Sequence, residues 1–166
     1  YLSAPGNSQI LRNESYANRY GMYVSNNSGM AWVGSTDVAA GNGNLIHNNT
    51  YTGLSASYGG VHVAGNAIWG HTYNGQYGLE LSSGAQASYN LVYGNYHGIY
   101  VYSGTTSYNR VYNNLSTGIA ATYANLIGNV VYSNAQGVTW NGSGSYTARN
   151  NLIYDNSLGG MNVTNT

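Results

Sequence analysis

Apolar residues along this chain alternate with polar ones in short bursts, and the bursts recur at a nearly regular distance. Seven segments share one arrangement: Asn, a variable residue, an aliphatic one, an aromatic one, a variable residue and a closing Asn. They read NESYAN from Asn13, NLIHNN from Asn44, NAIWGH from Asn66, NLVYGN from Asn90, NRVYNN from Asn109, NVVYSN from Asn129 and NLIYDN from Asn151. Successive starts lie 31, 22, 24, 19, 20 and 22 residues apart. A second piece, Gly-apolar-variable-apolar, follows: GMYV at 21–24, GLEL at 78–81, GIYV at 98–101, GVTW at 137–140 and GMNV at 160–163. In the second repeat both GLSA at 53–56 and GVHV at 60–63 fit, and the latter keeps a spacing of 18 to Gly78.

Period-two alternation over so few residues predicts short strands. Gly, Asn and Ser between them predict turns with positive φ. A period of about 20–24 residues is too short for a propeller blade and has no room for the helices of ankyrin or tetratricopeptide repeats. One strand-turn-strand unit cannot bury its own apolar face, but coils stacked in parallel can. The pattern therefore predicts one all-β domain over 1–166, a parallel β-helix of about seven coils and roughly 34 Å of length at ~4.8 Å per coil.

The columns of such a stack can be sorted into inward and outward. The second motif position carries Glu14 and Arg110, so it points out. The third, with Ser15, Ile46, Ile68, Val92, Val111, Val131 and Ile153, then points in. The fourth reads Tyr16, His47, Trp69, Tyr93, Tyr112, Tyr132 and Tyr154, which predicts an exposed ladder of rings. The closing column is Asn18, Asn49, Asn95, Asn114, Asn134 and Asn156, interrupted by His71. Asn tolerates the left-handed backbone of tight turns, and its amide both donates and accepts along the stack. Both Asn columns are read as structural ladders.

Composition narrows the function. The 166 residues include 24 Gly and 19 Tyr but no Cys, and only 5% are charged. Without Cys there is no disulfide framework or thiolate metal site. With zero formal net charge and no basic stripe, nucleic-acid binding is not expected. No apolar run reaches the ~18 residues of a membrane span. The chain opens on Tyr1, which reads as a processed product or a piece of something longer. Residues 1–8 and 162–166 show no helical cap pattern, so the ends are expected either to be covered by other sequence or to meet other subunits.

The repeats resemble those of the pectate-lyase-like superfamily, in particular its Asn- and Gly-rich carbohydrate-binding and sugar-hydrolase repeats. That resemblance implies a single-stranded, right-handed parallel β-helix. It also brings a range of functions, from lyases, epimerases and hydrolases to surface repeats. Enzymes of the group work with clustered acids. Here the four acids are Glu14, Asp37, Glu80 and Asp155, and the sequence brings no pair of them together. If GVHV is the stacked strand, His62, Glu80 and Tyr100 share one outward column, a set able to abstract a proton from a uronate.

The leading expectation is an extracellular or cell-surface structural or adhesive module that contacts a polysaccharide or other copies of itself, with end-to-end stacking as one mode. The alternatives are a lyase or epimerase acting on uronate glycans and a glycan-binding module without turnover. The expected binding surface is the ring ladder from Tyr16 to Tyr154. No cofactor or metal is expected. Among the Asn-x-Ser/Thr sequons, Asn26 and Asn141 are the expected glycan acceptors, because Asn13 and Asn114 belong to the ladders.

Overall fold

The computed structural model describes residues 2–3, 7–37 and 41–164. Tyr1, Pro5 and positions 38–40 of the insertion after Asp37 lie outside the described residues. The described residues form strands and turns with no helix, wound into seven coils. The first coil holds β1 (Leu2–Ser3), β2 (Ser8–Ile10) and β3 (Glu14–Tyr16), and the second β4 (Met22–Ser25), β5 (Ala31–Gly34) and β6 (Leu45–His47). The third holds β7 (Leu54–Ser57), β8 (Val61–Ala64) and β9 (Ala67–Trp69), and the fourth β10 (Tyr77–Ser82), β11 (Gln86–Ser88) and β12 (Leu91–Tyr93). Next come β13 (His97–Tyr102), β14 (Thr105–Ser107) and β15 (Arg110–Tyr112), then β16 (Thr117–Thr122), β17 (Asn125–Ile127) and β18 (Val130–Tyr132). The last coil has β19 (Gln136–Asn141), β20 (Ala148–Arg149) and β21 (Leu152–Tyr154), and β22 (Gly159–Thr164) adds one more strand to the first sheet.

Each coil therefore contributes three strands where the pattern predicted two. The first sheet takes the Gly-initiated pieces, the third takes the Asn motifs, and a second sheet lies between them. That second sheet was missed because no shared motif marks its strands and several are short and polar, as in Gln86–Ser88 and Thr105–Ser107, each with a single buried residue. Alternation over three residues leaves no readable period.

The interior is a stack of aliphatic columns. Leu54, Leu79, Ile99, Ile119 and Val138 pair along the first sheet. Ile46, Ile68, Val92, Val111 and Val131 pair along the third. All ten are buried. Each meets its counterpart one coil away, so the core is continuous along the axis.

The corners are as regular as the sheets. Both Asn columns form the expected ladders, but the left-handed residue is the one before each closing Asn, not the Asn itself. Ala17, Asn48, Gly70, Gly94, Asn113, Ser133 and Asp155 all have positive φ. The turn thus aims the Asn side chain inward, where it bonds instead of solvating. Asn114 shows the scheme: its backbone N–H and Nδ2 donate to Asn134 Oδ1 at 3.0 and 2.9 Å, while its Oδ1 accepts the same pair of bonds from Asn95. The other Nδ2 hydrogen goes to the Val92 carbonyl at 3.4 Å. The opening column repeats this, Asn90 donating to Asn109 and accepting from Asn66.

In the first-sheet strands β4 to β19, the glycine just before the strand or at its second residue is required by this packing. A Cβ on Gly118 would stand 2.7 Å from the Gly137 carbonyl oxygen and 2.8 Å from Asn134 Nδ2.

Replacing Asn114 by Ala leaves the Asn95 donors and the Val92 carbonyl without partners in a buried corner. At about 1–3 kcal/mol per orphaned group, the loss is expected to exceed ~3 kcal/mol. Asn18→Ala, on an exposed end rung, should cost about 1 kcal/mol. Urea unfolding of the two variants measures the contrast.

Candidate functional site

Outward side chains of the third sheet form the stripe that the motif predicted. Tyr16, His47 and Trp69 stack with interplanar angles of 3° and 8°. From Tyr93 through Tyr112 and Tyr132 to Tyr154 the centroid spacing holds at 5.0 Å, with planes within 8° of parallel. The spacing follows the rung distance of a parallel sheet, ~4.8 Å. The rings face one another along the axis, so between the ends they offer a partner their edges and hydroxyls. Only Tyr16 and Tyr154, at the two ends, have an uncovered face.

Charge decorates this stripe at two points. Glu14 Oε1 meets His47 Nε2 at 3.0 Å near the first coil. Arg110 donates from Nε to the Tyr132 hydroxyl at 2.9 Å, and its guanidinium lies 5.4 and 5.3 Å from the Tyr112 and Tyr132 centroids. Burial pushes the Tyr112 phenol above its usual range, with Tyr93 and Tyr132 adding to the rise and Arg110 opposing it. Beside the stripe a shallow groove of about 360 Å³ runs past Leu91, Tyr89, Tyr108 and Arg110.

The three residues proposed for proton abstraction are not one constellation. Of the two alternatives in the second repeat, GLSA is the first-sheet strand, with Leu54 beside Leu79 and Ser55 beside Glu80. GVHV is β8 of the second sheet, where His62 lies between Trp32 and Gln86 and stacks on Trp32 at 4.7 Å. Residues 70–76 connect β9 to β10, whereas 94–96 suffice between β12 and β13. That longer link made the 18-residue spacing misleading. Glu80 and Tyr100 are neighbours in register, as expected. The group beside them that the motif reading missed is Tyr77, whose ring lies 5.0 Å from both Tyr100 and His97. Burial raises the Glu80 carboxyl and lowers His97, and the His97 Nδ1 accepts the Thr117 N–H at 3.3 Å. Burial likewise lowers His62.

His71 substitutes for a ladder Asn, as its place in the motif implied. It is 0% exposed. Its Nδ1 donates to Asn95 Oδ1 at 2.9 Å and its Nε2 accepts from Asn49 Nδ2 at 3.2 Å. Those partners select the neutral ring with hydrogen on Nδ1. Protonation would set an Nε2–H against the Asn49 amide hydrogens. Desolvation lowers its pKa most; the Asn95 bond works against this, and His47 lowers it further.

One expected glycan acceptor is poorly placed. Asn26 is 3% exposed and its Oδ1 accepts the Ser28 N–H at 3.2 Å. Asn141 is half-buried, with its Oδ1 accepting the Ser143 N–H at 3.3 Å. Among the described residues no three His, Asp or Glu side chains gather as a metal site. No helix among them is long and apolar enough to cross a membrane.

Fold and ladders together define a parallel β-solenoid protein. The chain matches no protein-family model and no curated protein.

Stability should respond to pH through His71. With the folded pKa lowered, the unfolded chain binds the extra proton first, so stability rises with pH up to the ordinary histidine value of 6.5 and levels off above it. His71→Asn restores an amide to the ladder and should flatten that rise, leaving the part due to His62 and His97 against the opposite slope of Glu80, whose raised pKa makes stability fall as pH rises. Unfolding free energies of both proteins between pH 5 and 7.5 test it.

Proposed function

We propose that the chain is a structural or adhesive module of an extracellular or cell-surface protein, working through the stacked stripe on its third sheet. The observation that carries this reading is the uniform 5.0 Å repeat from Tyr93 to Tyr154. A row of rigid rings with little entropy to lose favours a partner that itself repeats, an extended polysaccharide or the flank of another rod. Contact runs through ring edges and phenol hydroxyls, with the Arg110 charge beside them. The resemblance of the repeats to the carbohydrate-binding repeats of the pectate-lyase-like superfamily supports the polysaccharide partner.

A lyase or epimerase acting on uronate glycans is the second reading, favoured by one observation. The Glu80 carboxyl is pushed up by burial and has Tyr77 and Tyr100 at its side, which suits a group that exchanges protons. Absorbance of an unsaturated uronate product, with sugar analysis for epimerisation, tests it; activity lost in Glu80→Gln would replace the first reading.

For the first reading, Tyr93, Tyr112 and Tyr132 are replaced together by Ser. Retention on insoluble neutral and uronate polysaccharides, and lateral bundling seen by light scattering, should be lost while circular dichroism is unchanged. Loss of the stacking should lower stability by about 0.5–1.5 kcal/mol per ring pair. Undiminished retention and bundling in the folded variant, or outright unfolding, would sink the stripe as a contact surface.

A further inference from the structure

The groove beside the stripe lies on the outside of the corner between the second and third sheets, at the third to fifth coils. Its floor is the backbone of Asn66 and Asn90, whose amides turn inward and are spent in the ladder. One wall is made by the residue before each opening Asn: Gly65, then Tyr89, then Tyr108. The other is the outward column in which Ala67 pairs with Leu91 and Leu91 with Arg110. At the third coil both walls shrink, to Gly65 and Ala67, and the groove opens into a recess.

The tyrosine wall is a fixed platform. Tyr108 lies against the following coil, where a Cβ on Gly128 would stand 2.6 Å from its ring. Tyr89 stacks on Tyr108 at 5.3 Å and 13°. Its other face looks toward Gly65, which has no side chain to cover it. The turn itself does not need either ring. Tyr89 and Tyr108 hold φ of 56° and 55°, a left-handed backbone that strains a bulky residue, and glycine makes the same turn at 65 and 128. Strained residues that the fold does not require gather where ligands are held.

Arg110 stands on the crest between groove and stripe. Its Nε is spent on the Tyr132 hydroxyl. Among the described residues its two η nitrogens have no hydrogen-bond acceptor, and no carboxylate is within ion-pair distance.

We propose that this groove holds one acidic sugar residue of a polysaccharide, with the face of the sugar ring on Tyr89, its edge against Leu91 and its oxyanion on the η nitrogens of Arg110. This rests on the polysaccharide reading of the stripe and names the class of glycan. The volume of about 360 Å³ is at the lower end of the ~300–1,000 Å³ of small-ligand sites and suits a single ring. An open aromatic face offers that ring a large rigid contact. The guanidinium fork fits a carboxylate or a sulfate with two parallel bonds.

Three short oligosaccharides of equal length, one bearing uronates, one sulfated and one neutral, test the groove by nuclear magnetic resonance titration. At least one acidic probe should shift the signals of Tyr89, Leu91 and Arg110. It should bind about tenfold more tightly than the neutral probe, as a charge-assisted bond implies, and more weakly as salt is added. The tighter acidic arm identifies the oxyanion. Arg110→Gln should abolish the preference for acid, and Arg110→Lys should restore only part of it. Tyr89→Gly relieves the strained turn, so the variant should fold yet lose about tenfold in affinity for the acidic probe. Equal affinity for neutral and acidic probes, shifts that map away from the groove, or undiminished acidic binding in Arg110→Gln or in folded Tyr89→Gly overturns the proposal. If Tyr89→Gly does not fold, the mapped shifts and Arg110→Gln decide. The stripe and the groove fail separately: Arg110→Gln should keep lateral bundling, and the triple Tyr→Ser variant should keep the shift of Tyr89 with the acidic probe.

Discussion

Everything in this molecule answers to the ~4.8 Å rung distance between parallel strands. In a coil that closes on itself, each side chain stands one rung from its counterpart above and below. A residue type is therefore selected for how it packs against a copy of itself. Aliphatic residues satisfy that demand by dispersion and aromatic ones by stacking. Charged residues fail it, because like charges one rung apart repel. The 5% charge content follows from the geometry, since most outward columns also run the length of the stack.

Asparagine is suited to this geometry where the chain must turn. Its amide is donor and acceptor at once, so identical side chains can bond in series without an unpaired group inside the stack. His71 shows how specific the requirement is. Imidazole can take the rung only as the neutral ring carrying hydrogen on Nδ1, donating to Asn95 and accepting from Asn49. The same series bonding gives the stack a direction, since each rung's Oδ1 accepts from the coil before it while its backbone N–H donates to the coil after it.

The stripe on the third sheet is a by-product of the same rule turned to use. Stacking covers the ring faces that sugars ordinarily pack against, which shifts recognition to edges and hydroxyls. It also gathers five of the chain's 19 tyrosines into a linear surface beside the Arg110 guanidinium. On the first sheet the Glu80, Tyr77 and Tyr100 group arises from neighbouring rungs in which the repeat is not kept, which is why it stands apart from the ladders.

The sequence by itself determined the solenoid, its coil number, the inward aliphatic columns, both Asn ladders and the ring stripe. Each is a column of like residues, and like residues at a regular spacing are visible in one dimension. It did not reveal the second sheet, most of whose strands have only two or three residues and no flanking motif to mark them. Nor did it reveal which residue of the corner is left-handed: Ala17, Ser133 and Asp155 adopt that backbone because the stacked Asn that follows must point inward. Only the tertiary structure decided that His62 faces Trp32 and not Glu80, because the link at 70–76 changes the phase between one repeat and the next. Register across a variable loop is set by which pairing buries the most and leaves the fewest groups unbonded. That sum is taken over the whole stack and cannot be read from any one repeat.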